Sequence, residues 1–235
     1  MKAFLLAAGK GSRLRPLTDR IPKCLVPIRG KPLLQIWLEQ LARYGVAEVL
    51  INAHHHADQV EAFLQSRRGK PRIRLVHEPV LLGSGGTVWA NRDFVSGEDD
   101  FWVIYGDNLS CANLREMEAF HRAHGGIATI GLFRCERPTE CGIAVLDESD
   151  RILDFEEKPT SPKGDLANGG IYLLSREIFH EVCWDVAMPL DFGFHVLPQL
   201  RGKMYGYVIH DYHMDIGTPA GYERAQGECP EYLAE

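Results

Sequence analysis

The residues that could do chemistry cluster early, in Ala7-Ala8-Gly9-Lys10-Gly11-Ser12-Arg13-Leu14-Arg15-Pro16-Leu17-Thr18 and in Pro22-Lys23-Cys24-Leu25-Val26-Pro27. Gly9 and Gly11 let backbone N–H groups approach a phosphate chain, and Lys10, Arg13, Arg15 and Lys23 bring positive charge to it. That combination suits a polyphosphate; it also suits a solvated turn. Two familiar phosphate loops are excluded by spacing. A Walker A loop needs Ser or Thr after Gly-Lys, where Gly11 stands. A dinucleotide fingerprint needs a third glycine where Leu14 stands and an acid at the end of the second strand, where Asn52 stands.

The elements around this loop follow from hydrophobic patterning. Residues 2–8 form an apolar run of strand length, as expected of a parallel strand buried on both faces. Residues 32–44 place Leu33, Leu34, Trp37, Leu38 and Leu41 at helical spacing before Gly45. Then come a strand at 48–52, a helix at 57–65, a strand at 73–76, a short helix at 87–92 and a buried strand at 101–105. This alternation predicts an α/β fold with a Rossmann-like, mostly parallel central sheet and helices on both faces. Ligands of such sheets bind outside the carboxyl ends of the strands, where both the loop after residue 8 and Asp107 fall. After Gly126 the texture changes to strands at 127–133, 143–146, 152–156 and 171–174, which predicts a small antiparallel portion. No repeat or low-complexity linker interrupts the chain. The expected organisation is one domain over 1–235, with a first half at 1–126 and a second at 127–226.

The 235 residues carry 26 Lys plus Arg against 32 Asp plus Glu, a formal charge of −6. This disfavours nucleic acid and anionic lipid as partners. The apolar run near the start is far shorter than the roughly 20 residues of a membrane span, and no signal-peptide pattern follows it, so a soluble, unprocessed chain is expected. Six cysteines at irregular intervals without a C-x-x-C pair argue against a zinc ribbon or disulfide scaffold and for a reducing cytoplasm.

The run from Leu5 to Thr18 with the later Pro22-Lys23-Cys24-Leu25-Val26-Pro27 resembles the signature of the sugar-1-phosphate nucleotidyltransferases, the NDP-sugar pyrophosphorylases. Further segments similar to that family appear in order: Leu82-Gly83-Ser84-Gly85-Gly86, Tyr105-Gly106-Asp107, Glu156-Glu157-Lys158-Pro159, Asn168-Gly169-Gly170-Ile171-Tyr172 and Asp215-Ile216-Gly217-Thr218-Pro219. The resemblance spans nearly the whole chain. It implies transfer of a nucleotidyl group from an NTP to a sugar 1-phosphate with release of pyrophosphate, assisted by Mg2+, with a nucleotide-binding half at 1–126 and a sugar-phosphate-binding half at 127–226.

Two anions must meet in such a reaction, so the protein has to neutralise charge and align the attacking oxygen with the leaving group. By resemblance, Asp107 and Asp215 are the metal carboxylates; their plainer alternatives are a turn aspartate and a cap on the helix near Pro219. Arg13 and Lys23 are expected on the triphosphate, with Arg15 in reserve. Lys158 is expected against the sugar phosphate and α-phosphate, its alternative being an exposed lysine. Glu157, Asn168 and the backbone at Gly142 match family positions that bind sugar hydroxyls. The base is expected between Ala7, Ala8 and Gly9 on one side and Gly83 and Ser84 on another, and Gly11, Tyr105 and Gly106 are expected among the substrate-binding residues. A plain helix start with Ser84 as N-cap would also explain the Gly-Ser-Gly-Gly run.

His54-His55-His56 lacks ligand spacing and is expected to be a solvated loop, and His121 and His124 are expected at a helix end. The segment Asp191-Phe192-Gly193-Phe194-His195-Val196-Leu197-Pro198 resembles mannose- or heptose-1-phosphate guanylyltransferases. Uridylyl transfer to a glucose- or muramic-acid-type 1-phosphate and a catalytically silent nucleotide-sugar-binding subunit are the alternatives. Monomer and homo-oligomer are not separated by sequence.

Overall fold

A computed structural model describes residues 1–234. The chain begins with β1 (Lys2–Leu6), β2 (Pro27–Ile28), β3 (Lys31–Pro32), α1 (Leu33–Arg43), β4 (Glu48–Ala53), α2 (Ala57–Ser66) and β5 (Arg72–His77). Next come α3 (Ser84–Ala90), β6 (Asp100–Tyr105), β7 (Asn108–Ser110), α4 (Leu114–His124), β8 (Ala128–Arg134), β9 (Gly142–Leu146) and β10 (Ile152–Glu157). The last are β11 (Leu166–Ser175), α5 (Ile178–Glu181), β12 (Met204–Val208), β13 (His213–Asp215), α6 (Pro219–Glu228) and α7 (Glu231–Ala234). The fold is α/β with a mixed sheet. It forms two compact units, one of residues 1–81, 104–111 and 212–235, the other of residues 82–103 and 112–211.

In the first unit the strand order is β1-β4-β5. β1 and β4 are parallel with Phe4 opposite Leu50, and β4 and β5 are parallel with Leu50 opposite Arg74. Phe4, Leu5, Leu50 and Ile51 are fully buried, which is why β1 and β4 read as unbroken apolar runs. β1 ends at Leu6, two residues short of the expected limit. The Ala7 N–H instead donates to Asn52 Oδ1 at 2.8 Å, and Asn52 Nδ2 donates to Glu78 Oε1 at 2.9 Å. Asn52 thus pins the point where the chain leaves the sheet.

The second unit is built on antiparallel pairs. β11 pairs with β8 and β9, and β10 pairs with β9, while β12 adds to β8 in parallel. β12 has no counterpart among the expected strands. α4 is capped by Asn113, whose side chain accepts from the N–H groups of Arg115 and Glu116, and it stops at Gly125 in the left-handed conformation. His121 lies in the last turn of α4, as expected, and is buried there, with Nδ1 2.8 Å from Thr129 Oγ1 and Nε2 3.5 Å from Asp100 Oδ1. Position 121 falls on the face of α4 that covers the strands, where a hydroxyl on β8 satisfies the ring. His124, in the last turn of α4 as expected, bonds through Nδ1 to the Phe120 carbonyl at 2.8 Å.

Candidate active site

In the first unit, a two-stranded ribbon brings distant carboxylates together. β7 and β13 pair antiparallel with Asp215 opposite Asn108, so Asp107, one residue earlier, lies beside Asp215. The ribbon is anchored by the fully buried Leu109 and Ile216 and by the Trp37 indole N–H of α1, which donates to the Asn108 carbonyl at 2.7 Å. Lys23 Nζ lies 2.9 Å from Asp107 Oδ2 and 3.7 Å from Asp215 Oδ1, and Arg13 Nη2 lies 3.6 Å from Asp215 Oδ2. The Lys23 side chain is only 5% exposed, whereas both aspartates are partly open. A buried ammonium is tolerated here because two carboxylates compensate its charge.

Backbone geometry keeps this cluster in place. Asp215 Oδ1 accepts the Gly217 N–H at 2.7 Å. A Cβ on Gly217 would stand 2.7 Å from Asp215 Oδ1, 2.8 Å from Arg13 Nη2 and 3.1 Å from Lys23 Nζ, so any side chain there would push these charged ends aside. The cap of α6 is Thr218, whose hydroxyl accepts the Gly221 N–H, which leaves the Asp215 carboxylate to the cations. His213, on the same strand, is driven down to about 4 by burial against the opposing pull of Asp215, so its ring is neutral at physiological pH. Burial raises the Cys24 thiol to about 12, with the Asp107 charge adding to it, so the residue after Lys23 stays a thiol.

The loop between β1 and Lys23 folds as short helical turns over Ser12–Leu14, Leu17–Asp19 and Lys23–Leu25. Gly11 sits at φ +62°, and its carbonyl accepts from the Leu14 N–H and the Thr18 hydroxyl. A Cβ there would meet Thr18 Cγ2 at 2.8 Å and Lys23 Cβ at 3.2 Å, so Gly11 lets the loop close onto Lys23. Gly9 faces open space. The Gly106 N–H donates to the Leu6 carbonyl at 2.8 Å, which ties the strand end carrying Tyr105 to β1. Arg15 is drawn away from the aspartates' cluster into a pair with Asp19 at 3.0 Å. The histidine tract is not a solvated loop: His55 Nε2 lies 3.0 Å from the Thr18 carbonyl and His56 Nε2 3.2 Å from that of Asp19, while His54 bonds the Glu78 carbonyl. Two of the three imidazoles thereby bond carbonyls of the loop that leads to Lys23.

The second unit holds a different polar group. Glu157 ends β10, and its Oε2 would be 2.4 Å from a Cβ on Gly142 and 2.3 Å from one on Gly193, so two glycines admit the carboxylate. Burial raises the Glu157 carboxyl above its usual range, the nearby Asp191 charge raises it further, and Lys158 opposes both. Lys158 adopts φ +51°, donates its N–H to the Cys141 carbonyl at 2.9 Å and sets Nζ 5.8 Å from the Phe194 ring centroid. Asn168 donates to the Tyr172 hydroxyl at 2.7 Å and accepts the Gly170 N–H at 3.0 Å.

Gly83, at φ +82°, caps α3, and Ser84 is its first residue rather than its cap. The Ser84 hydroxyl donates to Asp191 Oδ2 at 2.9 Å and accepts the Phe192 N–H at 2.8 Å. A Cβ on Gly83 would fall 2.4 Å from the Leu190 carbonyl oxygen, so Gly83 fits only as glycine against the 190–196 segment. Asp191 and Gly193 are functional candidates that sequence reasoning assigned no role. The Asp191-Phe192-Gly193-Phe194 run was visible, but contact with Glu157 and Ser84 arises only on folding.

The model of the nucleotidyl transferase family matches residues 2–231. The chain belongs to this family. It is 34% identical over 230 residues to mannose-1-phosphate guanylyltransferase 1 of Arabidopsis thaliana, covering 94% of this chain and 63% of that protein. The chain therefore spans less than two thirds of the length of the curated relatives it matches. Among solved structures, a candidate glucose-1-phosphate thymidylyltransferase from Bacillus anthracis, crystallised with sucrose, superposes with a TM-score of 0.83 at 24% identity over 97% of this chain and 94% of that one. HddC from Yersinia pseudotuberculosis, complexed with GMP-PN, gives 0.79 at 24% identity, covering 97% and 99%. These two likenesses establish the nucleotidyl transferase fold. No helix among the described residues is long and apolar enough to cross a membrane.

Proposed function

We propose that this chain transfers a nucleotidyl group from an NTP to a sugar 1-phosphate, giving an NDP-sugar and pyrophosphate, with guanylyl transfer to a mannose- or heptose-type 1-phosphate as the favoured pair. The observation that carries the reading is the meeting of Asp107 and Asp215 on one buried ammonium, with Arg13 alongside. Relatives named mannose-1-phosphate guanylyltransferase support the choice of pair.

Each residue answers a need of an in-line displacement. The attacking phosphate oxygen is already ionised at neutral pH, so no general base is required. The guanidinium of Arg13 binds phosphate oxygens of the triphosphate, and Lys23 opposes the charge gathering on the leaving pyrophosphate. Gly9 and Gly11 let the backbone approach the nucleotide, Ala7 and Ala8 keep the strand end small, and Gly83 and Ser84 line the side of the base. Lys158 holds the sugar phosphate, while Glu157, Asn168 and the Gly142 backbone bind sugar hydroxyls. The donor set of Asp107 and Asp215, two hard carboxylates beside a phosphate site, fits Mg2+, which prefers one or two carboxylates plus phosphate oxygens. When bound, Mg2+ supplies Lewis-acid neutralisation of the phosphate oxygens. The six cysteines form no disulfide, in keeping with a cytoplasmic setting.

The test is pyrophosphate release across four NTPs and a panel of sugar 1-phosphates with Mg2+. Turnover is expected with a narrow set of pairs, GTP with mannose 1-phosphate foremost. Absence of turnover throughout the grid would replace the enzyme reading with a nucleotide-sugar-binding module.

A further inference from the structure

We propose that Phe194 is the stacking face for the sugar ring, a specificity-determining residue beside Glu157 and Lys158; this rests on the sugar 1-phosphate reading of that site. Phe194 is 53% exposed, and among the described residues no other Phe or Trp is classed with the exposed large apolar side chains. A single exposed phenylalanine is ordinary on a protein surface. Its surroundings are what give this one a task.

The backbone that carries the ring is held from several directions. The Phe194 N–H donates to Asp191 Oδ1 at 3.1 Å, and Asp191 is fixed in turn by the Ser84 hydroxyl at 2.9 Å. The preceding residue, Gly193, packs directly on the Glu157 carboxylate. Phe192 turns inward and stacks on Tyr172 with centroids 5.3 Å apart, and the Tyr172 hydroxyl accepts from Asn168. The inward aromatic therefore fills the core, and the outward one, half-exposed with its ring 6.3 Å from that of His195, stands on a turn held by these hydrogen bonds.

Lys158 Nζ lies 5.8 Å from the centre of the Phe194 ring, within range of a cation–π attraction. An anion held by Lys158 therefore sits near an aromatic face, with the Glu157 acceptor one residue away in sequence. A pyranose presents this same division: hydroxyls at its edge and C–H groups on its face. Carboxylate and ring together bind both, the former by hydrogen bonds and the latter by apolar contact. A ligand with a phosphate and a flat C–H face fits this arrangement, and inorganic phosphate alone does not use the ring.

The test compares F194A, F194L and F194W with the parent, using the NTP and sugar 1-phosphate pair that turns over, alongside thermal melting of each variant. F194A is expected to raise KM for the sugar 1-phosphate about tenfold and to leave KM for the NTP within about twofold, with F194L close to F194A and F194W close to the parent. An unchanged sugar KM in F194A, or equal shifts in both KM values, would overturn the proposal. A second readout does not need turnover: saturation-transfer NMR with GDP-mannose and UDP-glucose. Sugar-ring protons should be saturated in the parent and lose that signal in F194A, while base protons keep theirs. Sugar protons unsaturated in the parent, or an identical pattern in F194A, would contradict a stacking role. Absence of turnover combined with the expected NMR pattern would instead defeat the enzyme reading and leave Phe194 standing.

Discussion

Two residues show how the absence or burial of a few atoms controls the candidate chemistry. Gly217 is surrounded by Asp215, Arg13 and Lys23, with less than 3.2 Å between each of their polar atoms and the position of an added Cβ. Gly217→Ala should therefore displace the charged cluster and lower turnover at least about tenfold, with the fold retained; kinetics beside circular dichroism would check this, and parent-like turnover would show that the cluster need not be so tight. Glu157 makes a different case. Its carboxyl is raised by burial first and by Asp191 second, so the folded protein holds this proton at a pH where the unfolded chain has released it. The contribution to stability is fully present below the ordinary value of 4.5 and is lost as pH rises through the raised folded value. Replacing the charged form by an amide removes that loss. Glu157→Gln should accordingly be more stable than the parent at pH 7, with the difference shrinking toward pH 4, while its KM for the sugar 1-phosphate rises. Denaturant titrations at both pH values decide it, and a destabilised variant at pH 7 would mean that the carboxylate is compensated by its neighbours.

At the scale of elements, the legible parts were those with local pattern. Leu33, Leu34, Trp37, Leu38 and Leu41 line one buried stripe, and α1 formed where their spacing placed it. The parallel β1 and β4 were equally readable from continuous apolar runs. The ribbon of β7 and β13 was not, because three-residue strands carry no period and their pairing joins residues as far apart in sequence as Asn108 and Asp215. Asp107 was placed at a strand end by the apolar run before it, whereas its metal role and the whole case for Asp215 came through resemblance. β12 likewise contains Gly206 and two tyrosines and gives a weak strand signal, yet it completes the sheet beside β8. Asn52 was judged by what it lacks, a charge for a ribose, and its use became visible only with the bonds to Ala7 and Glu78. Asn52→Ala leaves both partners without this amide in a buried place. It should cost about 1–3 kcal/mol in equilibrium unfolding, and a change within error would show that another group takes over.

For the whole molecule, a formal charge of −6 gives an anionic triphosphate no general attraction, so binding has to come from a local concentration of cations. On the proposed function, Arg13 and Lys23 supply it in the first unit, in the loop after β1, whose apolar run was legible in the sequence. The family match runs over residues 2–231, so loop, ribbon and the Glu157 strand belong to one inherited plan. The central claim is that Asp107 and Asp215 act as a single unit. It is tested most directly by steady-state pyrophosphate release from Asp107→Asn, Asp215→Asn and the double variant. Each single change is expected to lower kcat at least about a hundredfold, and the double change to cost little more than either one. Retained turnover in either single variant, or losses that multiply in the double, would contradict it.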